Sequence, residues 1–358
     1  MKRFLSALIV AVVTLVAASR AGTCDVAHLR RRVAALLAAH RSQMEAGVAI
    51  IDIEKGQAVM FHGHTPCPLA SVFKLPVLVE AARQMTDSRT LTLETMLTMH
   101  AWDRCIGSGI LYHQPPGTRI SMGRAIELME TISDNTAADL VFRRIGLGSV
   151  NRMMRASGFH DTDISLTNRD AWLITLGMGA QFRGMSAAGI TKAWQDMSPS
   201  QRRQAAARIY RENRKTSIAT IRRIEDASRA RPWREDREVD ATVDNHSSPY
   251  DLATLLVRLY RGQMLDPHWT AWCMGVLARQ HYNSRIPRYL PRGTRIWHKT
   301  GTDEGVVNDA GIIEAGPHDH VAVVVLVHAI VPGGARIAGT LIAQIARAAY
   351  DAFRPYTR

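Results

Sequence analysis

A chain of 358 residues with 46% hydrophobic and 22% charged side chains can bury a large core, as one domain or two interleaved lobes, and is neither fibrous nor disordered. Its formal net charge of +13 favours contact with anionic polymers or membrane surfaces. Nucleic acid, the other usual partner of such charge, is not expected, because no nucleic-acid motif is present and the N-terminus reads as an export signal.

Lys2 and Arg3 precede an apolar run over residues 4–18, and Ser19-Arg20-Ala21 supplies small residues for cleavage. A secretory signal peptide over residues 1–21 is expected, with an uncleaved anchor as the alternative, so the mature chain would be periplasmic or secreted. Its removal deletes Lys2, Arg3 and Arg20 and leaves 42 basic against 32 acidic residues. Cys24 follows, but Thr23 stands where a lipoprotein signal wants Gly or Ala. Export permits disulfides among Cys24, Cys67, Cys105 and Cys273, a Cys67–Cys105 bridge being one option. His62, His64 and Cys67 fit no zinc spacing and read as surface residues; neither a metal nor another cofactor is expected.

In the mature chain, Val26, Leu29, Val33, Leu36 and Leu37 recur at helical spacing above a basic face of Arg30, Arg31 and Arg32. The β-branched run over residues 47–53, the turn Glu54-Lys55-Gly56 and residues 57–62 read as a hairpin. An apolar helix follows over residues 71–85, with Pro76 early in it. Residues 91–148 are helical in composition, broken at Gly107-Ser108-Gly109 and Pro115-Pro116-Gly117. Ser133-Asp134-Asn135-Thr136 falls between two helices, where such residues also serve as caps.

Residues 149–158 form another helix, and a polar loop covers 159–170. An extra basic insertion spans about 171–245; between Gln201 and Asp240 it holds twelve Lys or Arg against seven Asp or Glu. Ser198-Pro199-Ser200-Gln201 carries a helix-start signature, and one or two exposed helices are expected there. They would either grip an anionic cell-envelope polymer or be a solvated basic excursion. Helices begin at Ser248 and near Trp269. Residues 294–299, 308–314 and 320–329 read as strands, and a helix over 335–353 closes the chain. This pattern predicts an α+β fold. An antiparallel sheet lobe, from about 22–70 and 285–358, is flanked by terminal helices, and a mostly helical lobe spans about 71–284. The site belongs in the cleft between them.

Ser71-Val72-Phe73-Lys74 opens the helix that follows the hairpin. Its hydroxyl and amine fall one turn apart on one face, beside free backbone N–H groups. Alone, this spacing is no more than a capped helix. Ser133-Asp134-Asn135 and Lys299-Thr300-Gly301, in order and on suitable elements, change that. The three motifs together resemble the serine β-lactamase and penicillin-binding protein superfamily, closest to its class A β-lactamase-like branch. The resemblance extends to residues 107–111, the Ser-Pro-Tyr-Asp start at Ser248, and Asn308-Asp309-Ala310-Gly311. It implies a β-lactamase-like fold and a serine hydrolase acting on a β-lactam or a peptidoglycan-like amide. Ser71 would be the nucleophile, Lys74 its base and Ser133 a proton relay. Asn135 would hold the substrate amide, Lys299, Thr300 and Gly301 would face the substrate carboxylate, and Thr302 would complete an oxyanion hole with the N–H of Ser71. A monomer is expected.

One departure bears on turnover. The branch's deacylating glutamate is missing from residues 161–170; Asp170 lies near its place and is the expected substitute, with Glu212 or Glu225 of the insertion as the remaining carboxylates. Slow deacylation follows from this reading. The alternative is a penicillin-binding sensor or DD-peptidase-like cell-wall protein with little β-lactamase turnover.

Overall fold

The computed structural model describes residues 26–87, 91–228 and 231–354; the expected leader and Cys24 lie outside them. Helix α1 (Val26–His40) leads into the hairpin of β1 (Glu45–Asp52) and β2 (Ala58–Phe61). The short β3 (Cys67–Pro68) precedes a 3-10 turn, Ala70–Phe73, which runs directly into α2 (Lys74–Asp87). A small ribbon of β4 (Met96–Thr98) and β5 (Arg119–Ser121) leads to α3 (Met122–Thr131), α4 (Asn135–Ile145) and α5 (Ser149–Ala156). Five helices follow: α6 (Asn168–Thr175), α7 (Ala187–Gln195), α8 (Pro199–Glu212), α9 (Ile218–Ser228) and α10 (Trp233–Thr242). Next come β6 (His246–Ser247), α11 (Pro249–Tyr260) and α12 (Pro267–Leu277). The chain closes with β7 (Ile296–Asp303), β8 (Val306–Gly316), β9 (Asp319–His328) and α13 (Ala335–Phe353).

Both ends of the chain build one antiparallel sheet, in the order β2-β1-β9-β8-β7. Strand alternation divides its two faces. Val48, Ile50, Val323 and Val325 pack under α1 and α13, while Ala49, Ile51, Val324 and Leu326 pack against the helical part of the chain. The second core runs on through Val72, Phe73 and Leu75 to Ala138 and Phe142. Burial of each large aliphatic side chain stabilises the fold by about 1.5–3 kcal/mol, so the junction between sheet and helices is a packed interior. Pro76 is the third residue of α2, where no N–H partner is required, and it costs the helix little.

The insertion is more than a pair of exposed helices. Residues of α6 to α10 enclose a core of their own, with Phe182, Ile190, Trp194, Ile209, Ile221 and Val239 buried. The Ser198 signature forms as read: its hydroxyl accepts from Gln201 N, and the Gln201 side chain accepts from Ser198 N. The excursion leaves and returns at one point. Asn245 Oδ1 accepts from the N–H groups of Ser165 and Leu166, each at 2.9 Å, and its Nδ2 donates to Leu166 O. The five helices are thus an enlarged loop tied at its neck. Cys67, Cys105 and Cys273 are free, buried thiols, so Cys67 and Cys105 are not bridged.

Candidate active site

Ser71 lies in the 3-10 turn, just ahead of the helix proper. Ala70 before it has φ +44°, a left-handed conformation costly for a residue with a Cβ. That turn is held from outside, because the Ala70 N–H donates to Asp244 Oδ2 at 2.6 Å. Strand β7 presses on the same turn. A Cβ at Gly301 would lie 2.5 Å from Leu69 O and 3.1 Å from Ser71 N, so only glycine permits the approach. Asn308 on β8 fastens the turn to the sheet by donating to Pro68 O and Leu69 O.

Lys74, fully buried, points back at the serine. Its Nζ is 2.9 Å from Ser71 Oγ, 3.1 Å from Ser133 Oγ, and 2.8 Å from both Ser133 O and Asn135 Oδ1. Burial and the neighbouring Lys299 bring its ammonium down to about 7, against the pull of Asp139, Glu130 and Asp134. Lys299 Nζ reaches Ser133 Oγ from the other side, at 3.1 Å. Burial lowers Lys299 as well, opposed by Glu130 and Asp309. Ser133 therefore sits between two amines, in a second left-handed residue, φ +57°.

The conformation of Ser133 is locked by its neighbour. Asp134 caps α4 by accepting from Ala137 N, and its other oxygen accepts from Ile110 N and Leu111 N. A Cβ at Gly109 would come within 2.3 Å of the Asp134 carboxylate, which explains the glycine in that loop. Asn135 Nδ2 donates to Ile106 O, fixing the orientation of its amide. Thr302 is exposed on the rim, its hydroxyl accepting from Arg285, and Thr300 O accepts from Lys299. A cavity of about 520 Å³ opens here, lined by Ser71, Asn135, Asn168 and Thr302, with the insertion as its far wall.

Of the residues read from sequence, Ser71, Lys74, Ser133, Asn135, Lys299, Thr300, Gly301 and Thr302 converge at this turn and cavity. Asp170 does not. It is fully buried at the start of α6, with both oxygens accepting from Arg143 Nη2 at 2.9 and 2.8 Å, and it lies outside the cavity lining. There it is the ion-pair partner of Arg143, and Thr167 caps the same helix turn. Glu212 is likewise occupied, accepting from Ala180 N, whereas Glu225 does line the cavity.

From the polar loop, Asn168 lines the cavity together with Thr167. Its N–H and its Nδ2 both donate to Asp139 Oδ1 at 2.8 Å, and Arg169 N donates to the other oxygen. Asp139 stands one helical turn after Asn135, so α4 both carries the Asn135 amide at the cavity and anchors the loop. That i, i+4 relation was visible in sequence, but nothing local said which loop Asp139 would hold. Glu130 was also missed. Both of its buried carboxylate oxygens lack a hydrogen-bond partner, and burial raises its pKa against the attraction of Lys299 and Lys74.

A serine hydroxyl held against a buried lysine, with a second serine bridging to a second lysine, is the arrangement of a serine hydrolase. The chain belongs to the beta-lactamase enzyme family, which it matches over residues 28–353. No curated protein matches it. Among solved structures it is similar to PBP-A, at 24% identity and a TM-score of 0.66 over 91% of this chain and 96% of that one. A variant of PBP-A has been solved as its acyl-enzyme with penicillin G, at 24% identity and a TM-score of 0.65 over 91% and 96%. A β-lactamase from Chitinophaga pinensis is 20% identical, with a TM-score of 0.66 over 91% and 99% of the two chains. At these identities the likeness establishes the β-lactamase-like, α+β fold.

Proposed function

We propose that the chain is an exported serine hydrolase that is acylated at Ser71 by a β-lactam or a peptide-like amide and releases the acyl group slowly. The observation that carries this is the 2.9 Å contact between Ser71 Oγ and a fully buried Lys74 whose ammonium loses its proton near neutral pH. Neutral Lys74 accepts the Ser71 proton as the Oγ–carbonyl carbon bond forms. The Ser71 N–H and that of Thr302 stabilise the developing oxyanion, a contribution of about 10²–10³ in rate. As the C–N bond breaks, the leaving nitrogen takes the Ser133 hydroxyl proton, and Ser133 is resupplied from the Lys74 ammonium 3.1 Å away. Lys299 and Thr300 bind the substrate carboxylate, the former by charge and the latter by direction.

Release needs a base for water. The polar-loop residues that line the cavity are Thr167 and Asn168, a hydroxyl and an amide with no carboxylate, and both Asp170 oxygens accept from Arg143. The carboxylates left in the cavity, Glu225 and Asp244 among them, stand on its far wall and not on this loop, and this supports a long-lived acyl-enzyme, as in a penicillin-binding sensor or DD-peptidase-like protein, over efficient β-lactamase turnover. Export is supported by the charged and apolar N-terminal run, and a monomer is the state assumed. Intact-mass measurement tests the nucleophile. Penicillin G should add one acyl mass to the wild-type protein and none to Ser71→Ala, and equal labelling of both would overturn the assignment.

A further inference from the structure

For a chain of net charge +13, the cavity beside Ser71 has an acidic far wall. Asp236 and Asp240 on α10, Asp244 in the return segment, and Asp303 and Glu304 at the end of β7 all line it, with Glu225 joining from α9. Arg231 is the one cationic side chain among the described lining residues; it lies 3.6 Å from Asp236 and donates to Thr175 O. The groups that donate to Glu304, Asp244 and Asp303 are neutral. Trp233 Nε1 donates to Glu304, the N–H groups of Ala70 and Asn245 to Asp244, and the Glu304 N–H to Asp303. Burial, followed by mutual repulsion with Asp303, Asp236 and Glu304, pushes the Asp240 carboxyl well up, and burial raises Asp244 to about 7. These groups stand in the same cavity as the nucleophile, on a wall that the insertion largely supplies.

We propose that this wall selects the substrate of the Ser71 site, and that the substrate carries an amine or guanidinium which enters against Asp240, Asp244 and Asp303 while its amide lies at Ser71. The proposal rests on the reading of Ser71 as nucleophile. With Lys299 and Thr300 facing a carboxylate, the ligand is then a zwitterionic, peptide-like molecule. Carboxylic acids that meet a cation release protons, so affinity for the cationic ligand rises with pH through the region around 7.

Binding to Ser71→Ala, read by calorimetry, tests the wall without the chemistry. The probes are two penicillins that differ only in an amine on the acyl side chain, free in one and acetylated in the other. The free amine should bind about tenfold or more tightly, as desolvated charge pairs do. That preference should shrink between about 0.01 and 1 M salt, where the screening length falls from about 30 to about 3 Å. It should also shrink when Asp240→Asn and Asp303→Asn are added, and be restored by Asp240→Glu. If the added substitutions prevent folding, the salt series alone decides. Equal binding of the two probes, or tighter binding of the acetylated one, overturns the proposal. If neither probe acylates wild type while the tenfold preference persists in Ser71→Ala, the wall stands and the reading of Ser71 as nucleophile is what fails.

Discussion

The two sides of the cleft differ in how completely they are equipped. On the side of α2, α4 and β7, the groups around Ser71 converge on it: Lys74 on the hydroxyl, Ser133 between two amines, and Gly301 letting the strand touch the serine's turn. On the side of the polar loop, the corresponding groups serve the fold. Asp170 is bound to Arg143, Asp139 holds the loop backbone, and Asn168 offers an amide. The lesson is that proximity of a carboxylate in sequence does not supply a base. Asp170 is turned to Arg143, both of its oxygens accepting from the guanidinium, and not to the cavity.

The largest expected effect comes from the equipped side. Lys74→Ala should lower the rate of acylation by penicillin G by about 10²–10⁴, the usual worth of a general base, in stopped-flow or quenched mass measurements. A loss of less than tenfold would move the base elsewhere. On the unequipped side, Asn168→Glu should accelerate release of the acyl group by about 10²-fold by placing a carboxylate where the amide now faces the cavity. No acceleration would mean that water does not approach from the loop.

The pH profile separates the two sides again. With Lys74 as the proposed base and its ammonium lowered to about 7, the acylation rate should be flat above that pH. Below it the rate should fall about tenfold per pH unit, as the base becomes protonated. A profile flat to pH 5 would contradict this assignment. The smallest kinetic effect is expected from Asp170→Asn, with deacylation unchanged. Breaking the buried pair with Arg143 should instead cost about 3–5 kcal/mol in stability, read by urea denaturation. A drop in deacylation without loss of stability would return Asp170 to the chemistry.

Much of the equipped side was legible, because each motif is short and its geometry follows from the element that carries it. Ser71 and Lys74 lie a turn apart, Ser133 to Asn135 at a helix start, and Lys299 to Gly301 on an inner strand. The neck at Asn245, the anchoring of Asn168 by Asp139 and the pairing of Asp170 with Arg143 join residues far apart in sequence, where periodicity gives no information. The insertion misled through its composition. Arg208, Arg211, Arg222 and Arg223 are exposed, which makes the segment read as solvated. Its Trp194 and Ile209 build a core, while Asp236, Asp240 and Asp244 turn to the cleft. A count of charges does not reveal their sides.

In the proposed reaction, attack at Ser71 is far faster than release from it. A time course of intact mass after mixing with excess penicillin G, followed by dilution and recovery, measures both steps on one protein. Rapid, stoichiometric acylation that persists long after the free antibiotic is removed is the expected result. A population that stays unacylated while penicillin G is consumed over many turnovers would contradict it.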